Sequence, residues 1–179
     1  MSQIVETGAD RVRAVDAGAI TTIAGGSTDP FGFAGNGGPA ISASFVPNGI
    51  AIDAAGAICI ADASAQTASS SRSSASPHSS HRRWHAVVGR HVDAPGQLAV
   101  DDHGNLYVTS RSTVGLVTNA DDDDQGDDAV FTIYGAGDRG QYPESSSSCL
   151  TALTVTEVED VIVADVCAGF AVRLSRQLD

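Results

Sequence analysis

The chain contains no lysine: its ten basic residues are all arginine, against 22 Asp and Glu, for a formal net charge of −12 over 179 residues. A surface of that sign repels phosphate backbones, which removes nucleic acid from the expected partners. Two origins of the missing lysine stay open. GC-rich coding favours Arg, Ala, Gly and Asp together, whereas adaptation to high salt favours an acidic surface for solubility. Long apolar runs are also missing. None approaches the ~20 residues of a membrane helix, so no membrane partner is expected. Residues 1–16 carry Glu6 and Asp10 and no apolar core of a secretory signal. The expected compartment is therefore cytoplasmic as written, with secretion open for a longer parent protein. Cysteine is scarce as well: Cys59, Cys149 and Cys167 form no even framework. Cys59 falls in a predicted buried strand, where it reads as a small apolar filler. Cys149 and Cys167 can bridge only if their strands meet, which the sequence leaves undecided.

With 42% apolar residues the chain has enough hydrophobic material for one domain with a core. That material repeats. PNGIAIDAAGAICIAD from Pro47, PGQLAVDDHGNLYVTS from Pro95 and LTALTVTEVEDVIVAD from Leu150 align without a gap. Apolar side chains fall in register at Ile50, Leu98 and Leu153; Ile52, Val100 and Val155; Ile58, Leu106 and Val161; and Ile60, Val108 and Val163. Their alternation is that of strands, and each copy reads strand, tight turn, strand. The flanks recur too. Ile23-Ala24-Gly25, Val87-Val88-Gly89 and Ile133-Tyr134-Gly135 precede the copies, while Val114–Thr118 and Phe170–Ser175 follow two of them. The expected unit is one strand before the copy, two within it and one after it: an antiparallel propeller blade.

The expected fold class is thus all-β, a partial, open β-propeller of about three four-stranded antiparallel blades. The blades are expected near 17–68, 84–118 and 129–176, with the strand at 11–16 left from a preceding blade. Two segments break the pattern. The Ser-rich stretch 65–83 is expected to be an irregular loop in place of an outer strand. The acidic run 121–128 (DDDDQGDD) reads as a solvated loop held open by self-repulsion.

Three segments of the first unit carry a resemblance to a known family. ITTIAGG at Ile20–Gly26, GFAGNGGPA at Gly32–Ala40 and the copy at Pro47–Asp62 resemble a blade of bacterial-type NHL-repeat β-propellers. The resemblance covers Arg11–Asp62 most specifically and fades through Val87–Thr118 to Ala129–Ser175. The chain departs from the family after Asp62, at Ser110, and at Leu150 and Glu159, where the Pro and turn Gly are lost. The resemblance implies a ring of about six blades with binding across one end. Three blades are too few to close a ring. A truncated product, a fragment of a longer chain, and a half-ring closing as a homodimer all stay open. Each leaves two apolar sheet faces to be covered.

Candidate sites are few. The Gly-rich loop 31–39 offers Phe31 and Phe33 as aromatic contact area and Asn36 as a hydrogen-bonding group, or else these residues only cover a blade edge. It is not a phosphate loop, because no Gly-Lys-Ser/Thr follows. Asp62 and Asp165 end two hairpins at matching positions. They either bind a cation near a central channel or accept backbone N–H groups. Asp53 and Asp101 read as turn residues. His78, His81 and His85 lack the partners of a zinc site, and His103 reads as an exposed turn residue. Trp84 reads as a packing anchor between blades. The acidic run lacks the spacing of a calcium loop. No nucleophile constellation is present, so no catalytic residue is assigned.

The expected function is a non-enzymatic scaffold that binds a protein, peptide or glycan (carbohydrate) through propeller loops, with no cofactor. The alternative is a metal-dependent propeller enzyme, lactonase- or lyase-like and degenerate, with Ca or Zn held by Asp62 and Asp165.

Overall fold

A computed structural model describes residues 2–26, 35, 38–54, 56–63, 69–74, 83–88, 94–118, 129–135 and 149–175. Among these, four antiparallel sheets follow one another along the chain. The first holds β1 (Ser2–Glu6), β2 (Arg11–Asp16) and β3 (Ala19–Gly25). The second holds β4 (Pro47–Ile52), β5 (Ile58–Asp62), β6 (Ser69–Ser74) and β7 (Arg83–Val88). The third holds β8 (Leu98–Val100), β9 (Leu106–Thr109), β10 (Thr113–Thr118) and β11 (Ala129–Gly135). The last holds β12 (Leu150–Val155), β13 (Val161–Asp165) and β14 (Phe170–Leu174). The fold is an open, partial β-propeller, and these sheets are its blades 1 to 4.

The repeated hairpins are β4–β5, β8–β9 and β12–β13. Their turns share one chemistry. Asp53 Oδ1 accepts the Ala57 amide at 2.7 Å, Asp101 Oδ1 accepts the Asn105 amide at 2.8 Å, and Thr156 Oγ1 accepts the Asp160 amide at 3.1 Å. Gly56 and Gly104 supply positive φ at the turn, and Glu159 adopts it in the third copy at 62°. Each copy also begins with a bulge. The ladder shifts at Asn48 and at Thr151, and Thr109 bonds both Gly96 and Gln97 in the middle copy.

The grouping of strands differs from the expected blades 17–68, 84–118 and 129–176. The strand ahead of each copy closes the previous blade instead of opening the next. β3 pairs with β2, β7 with β6, and β11 with β10. The first case shows why. Ala17 and Gly18, both at positive φ, make a two-residue turn that folds β3 back on β2. The strand at 11–16 is therefore the centre of a three-stranded sheet with β1, which the repeat pattern had not revealed.

A second correction concerns 65–83. Ser69–Ser74 is a strand, paired with β5 on one side and β7 on the other. β5 is buried along its whole length, so its outer N–H and C=O groups need partners. Serine supplies a backbone ladder as well as any residue, whatever its side chain contributes to packing. The acidic run 121–128 and His78 and His81 lie outside the described residues, as do Trp84 and His85 beyond their backbone.

Three apolar clusters fill the three gaps between blades. Val12, Ala24, Phe45, Ile58 and Ile60 lie between blades 1 and 2. Cys59, Ala61, Leu98, Leu106, Val108 and Val117 lie between blades 2 and 3. Tyr107, Val114, Tyr134, Val161, Val163 and Leu174 lie between blades 3 and 4. Alternation along β5 and β9 sends successive side chains into opposite gaps, which is why both strands are buried throughout. The innermost strands converge at the axis. A methyl on Gly49 would overlap the Gly96 carbonyl and stand 3.0 Å from Gln97 Cα, so only glycine fits.

The two outer faces are less apolar than expected. On blade 1 the far face carries Glu6 paired with Arg11 at 3.0 Å and Arg13 at 3.3 Å, beside exposed Ile4 and Ile20. On blade 4 it carries the rows Ala152, Ala164, Ala171 and Thr154, Ile162, Arg173.

Candidate functional site

Phe31, Phe33 and Asn36 lie outside the described residues. Asp62 and Asp165 are both buried, and they do matching work in blades 2 and 4. Asp62 Oδ1 accepts the Val46 amide at 2.9 Å, while Ala63 N donates to the Val46 carbonyl. Asp165 Oδ1 accepts the amides of Cys149, Cys167 and Ala168, each at 3.1 Å, while Val166 N donates to the Cys149 carbonyl. Each carboxylate thus anchors the chain entering its hairpin to the turn leaving it. In blade 3, where Ser110 stands at that position, its hydroxyl bonds Thr113 Oγ1 at 2.6 Å, and Thr109 Oγ1 accepts the Gln97 amide within the hairpin at 2.8 Å.

Among the described residues no group of three or more His, Cys, Asp or Glu gathers as a metal site. His103 is an exposed turn residue, 65% accessible in its side chain, and its Nδ1 lies beside the Glu159 carboxylate of the next hairpin turn.

The structure also joins Cys149 to Cys167 in a disulfide, with Cα atoms 5.3 Å apart. Cys59 is buried outside it. Beside the bridge is a shallow hollow of about 470 Å³, lined by Ala164, Asp165, Val166, Gly169, Phe170 and Ala171. Val166 and Phe170 are exposed there. The sequence placed Phe170 on a strand and gave no sign of a hollow, because it lies on the far side of blade 4, where no other sheet packs among the described residues. Tyr134 points the other way, into the gap between blades 3 and 4. Burial, and then the charge of Asp165, raise its phenol above the usual value of 10.0.

No protein-family model matches the chain, and no curated protein matches it. Solved structures do. Selenomethionine-substituted virginiamycin B lyase from Staphylococcus aureus aligns at 12% identity and a TM-score of 0.59, over 97% of this chain and 48% of that one. A catalytically inactive form of the same enzyme, with quinupristin, aligns at 12% and 0.59 over 97% of this chain and 51% of that one. A protein from Lactobacillus plantarum aligns at 17% and 0.53, over 93% of this chain and 49% of that one. At such identities the likeness carries the fold, and it places the chain in the class of β-propellers. The chain spans about half the length of each of these structures.

Proposed function

We propose that the chain is a non-enzymatic scaffold of NHL-repeat type that holds a protein, peptide or glycan through its propeller loops. The observation that carries this reading is the use made of Asp62 and Asp165. Both accept backbone amides of their own blade, a role that fixes hairpin entry rather than presenting charge to a substrate. The segments at Ile20–Gly26, Gly32–Ala40 and Pro47–Asp62 support the NHL assignment. Phe31, Phe33 and Asn36 are the proposed contacts, and preorganised contacts keep the entropy cost of binding low. A glycan array and a peptide library screened with the folded chain test the reading. Ligands whose binding is lost in the triple Phe31→Ala, Phe33→Ala, Asn36→Ala variant are expected. Ligands that ignore the triple change, or none at all, would remove it.

The likeness to virginiamycin B lyase favours a second reading, a lyase-like, metal-dependent enzyme. Its mark would be stoichiometric calcium or zinc in the purified chain, lost on changing Asp62 and Asp165 together to Asn. We also propose a second copy as a partner, stacked so that the far face of one blade 4 covers the far face of the other blade 1. The face that blade 2 turns to blade 3 supports this. There Cys59 and Ala61 receive Leu98, Leu106 and Val108, and Ile162 and Ala164 occupy the same repeat positions on blade 4.

A further inference from the structure

Blades 2 and 4 close their hairpins in the same way, and blade 4 adds sulfur. In blade 2, Val46 N donates to Asp62 Oδ1 at 2.9 Å and Ala63 N donates to the Val46 carbonyl at 2.8 Å. In blade 4, Cys149 N donates to Asp165 Oδ1 and Val166 N to the Cys149 carbonyl, both at 3.1 Å. Counted from the two aspartates, Val46 and Ser64 hold the places of Cys149 and Cys167. Blade 2 therefore shows that hydrogen bonds hold the entry to such a hairpin without a covalent bond. The bridge in blade 4 is added to a closure that stands without it, so it can open while β13 stays paired with β12 and β14.

The two sulfurs are not equally reachable. Cys167 is exposed, in the turn 166–169 between β13 and β14, and its neighbour Val166 is exposed too. Cys149 is half-buried, just ahead of β12. The turn also keeps its shape by other means. Cys167 N and Ala168 N both donate to Asp165 Oδ1, and Gly169 N donates to the Asp165 carbonyl at 2.9 Å, with Gly169 at a φ of 76°. Exchange depends on access to the sulfur attacked, and exposed disulfides are the labile kind.

We propose that Cys167 is a modification site for low-molecular-weight thiols, which makes the bridge a reversible clasp on blade 4. A thiolate attacks Cys167 Sγ and forms a new S–S bond to it. The Cys167–Cys149 bond breaks, and its electron pair leaves on Cys149 Sγ, which takes a proton from water. A second thiolate attacks the added sulfur and releases Cys167 together with a small disulfide. Two thiols thus supply the two electrons that reduce the bridge, and a small disulfide reverses both steps. What the clasp holds is the entry to β12, where half-buried Leu150 packs on the cluster between blades 3 and 4.

The probe is cysteamine, a cationic thiol whose approach the net charge of −12 does not oppose. It is added without denaturant to the full chain oxidised in air. Thiols are then trapped with N-ethylmaleimide, and the modified peptides are assigned by mass. Cysteamine is expected on Cys167, maleimide on Cys149 and neither on buried Cys59, with the circular dichroism of the sheets retained. Two variants keep the test decisive where reduction runs through to thiols. Cystamine, the disulfide of the probe, is expected to label Cys167 in Cys149→Ser and to leave Cys149 unlabelled in Cys167→Ser. A chain that forms no bridge in air, label on Cys149 or on both cysteines alike, exchange only in denaturant, or loss of the sheet signal with exchange would overturn the proposal.

Discussion

Tyr134 shows how a single residue reports on the blade stack. Its phenol is buried in the gap between blades 3 and 4, where burial and then the Asp165 charge oppose ionisation. Its pKa is therefore higher in the folded chain than in the unfolded one. The neutral phenol's contribution is fully present below the unfolded pKa of about 10. It is lost as the pH rises through the raised folded value. Urea unfolding measured from neutral to strongly alkaline pH should show stability falling as the pH rises above about 10 toward the raised folded value, and the Tyr134→Phe variant should fall less steeply. Parallel curves for the two proteins would mean that Tyr134 ionises without resistance. The carboxylates belong to the same scale. Asp62 and Asp165 were legible in the sequence as a matched pair, and their backbone-accepting role was one of two readings open for them. The amides they accept at hairpin entry belong to Val46 and Cys149, which lie sixteen residues away and outside the copies.

At the scale of elements, the hairpins were legible because the aliphatic side chains alternate and the turns carry Asp and Gly. Which hairpin joins which was less so. Blade membership depends on hydrogen bonds made by strands such as β3 and β11, whose neighbours in sequence lie on both sides. The Ser-rich strand β6 was illegible for a different reason: a ladder formed by backbone groups leaves no hydrophobic signature. The disulfide was not legible, since two cysteines 18 residues apart are bridged only if hairpin and bulge bring their Cα atoms together. It joins the same repeat position that Asp62 holds by hydrogen bonds alone in blade 2. A closed loop of that length is worth about 3 kcal/mol in the chain-entropy account. Reduction, or Cys149→Ser, should therefore lower the stability of blade 4 by about that amount. Amide exchange checks this: faster exchange is expected in Leu150–Val155 and Phe170–Leu174, with Ile58–Asp62 little affected. Uniform acceleration across all blades would show that the bridge acts globally.

At the scale of the whole molecule, the described residues form four sheets with three buried gaps and two outer faces, so stability is a sum of blade terms and nearest-neighbour terms. Leu106 lies in the middle gap at 1% exposure. Leu106→Ala should cost about 2–5 kcal/mol and should do so at any protein concentration, because that gap is closed within one chain. Ile162 sits on the far face of blade 4, only partly buried. Within a single chain Ile162→Asp disturbs no filled gap, and a small change is expected. If two copies stack through that face, the same substitution removes an intermolecular contact. The wild-type melting temperature should then rise with concentration, and Ile162→Asp or Ile4→Asp should abolish the rise. Light scattering beside the melts fixes the mass. A monomer with a concentration-independent melting temperature would leave both faces open in solution and remove the second copy as the partner that covers them.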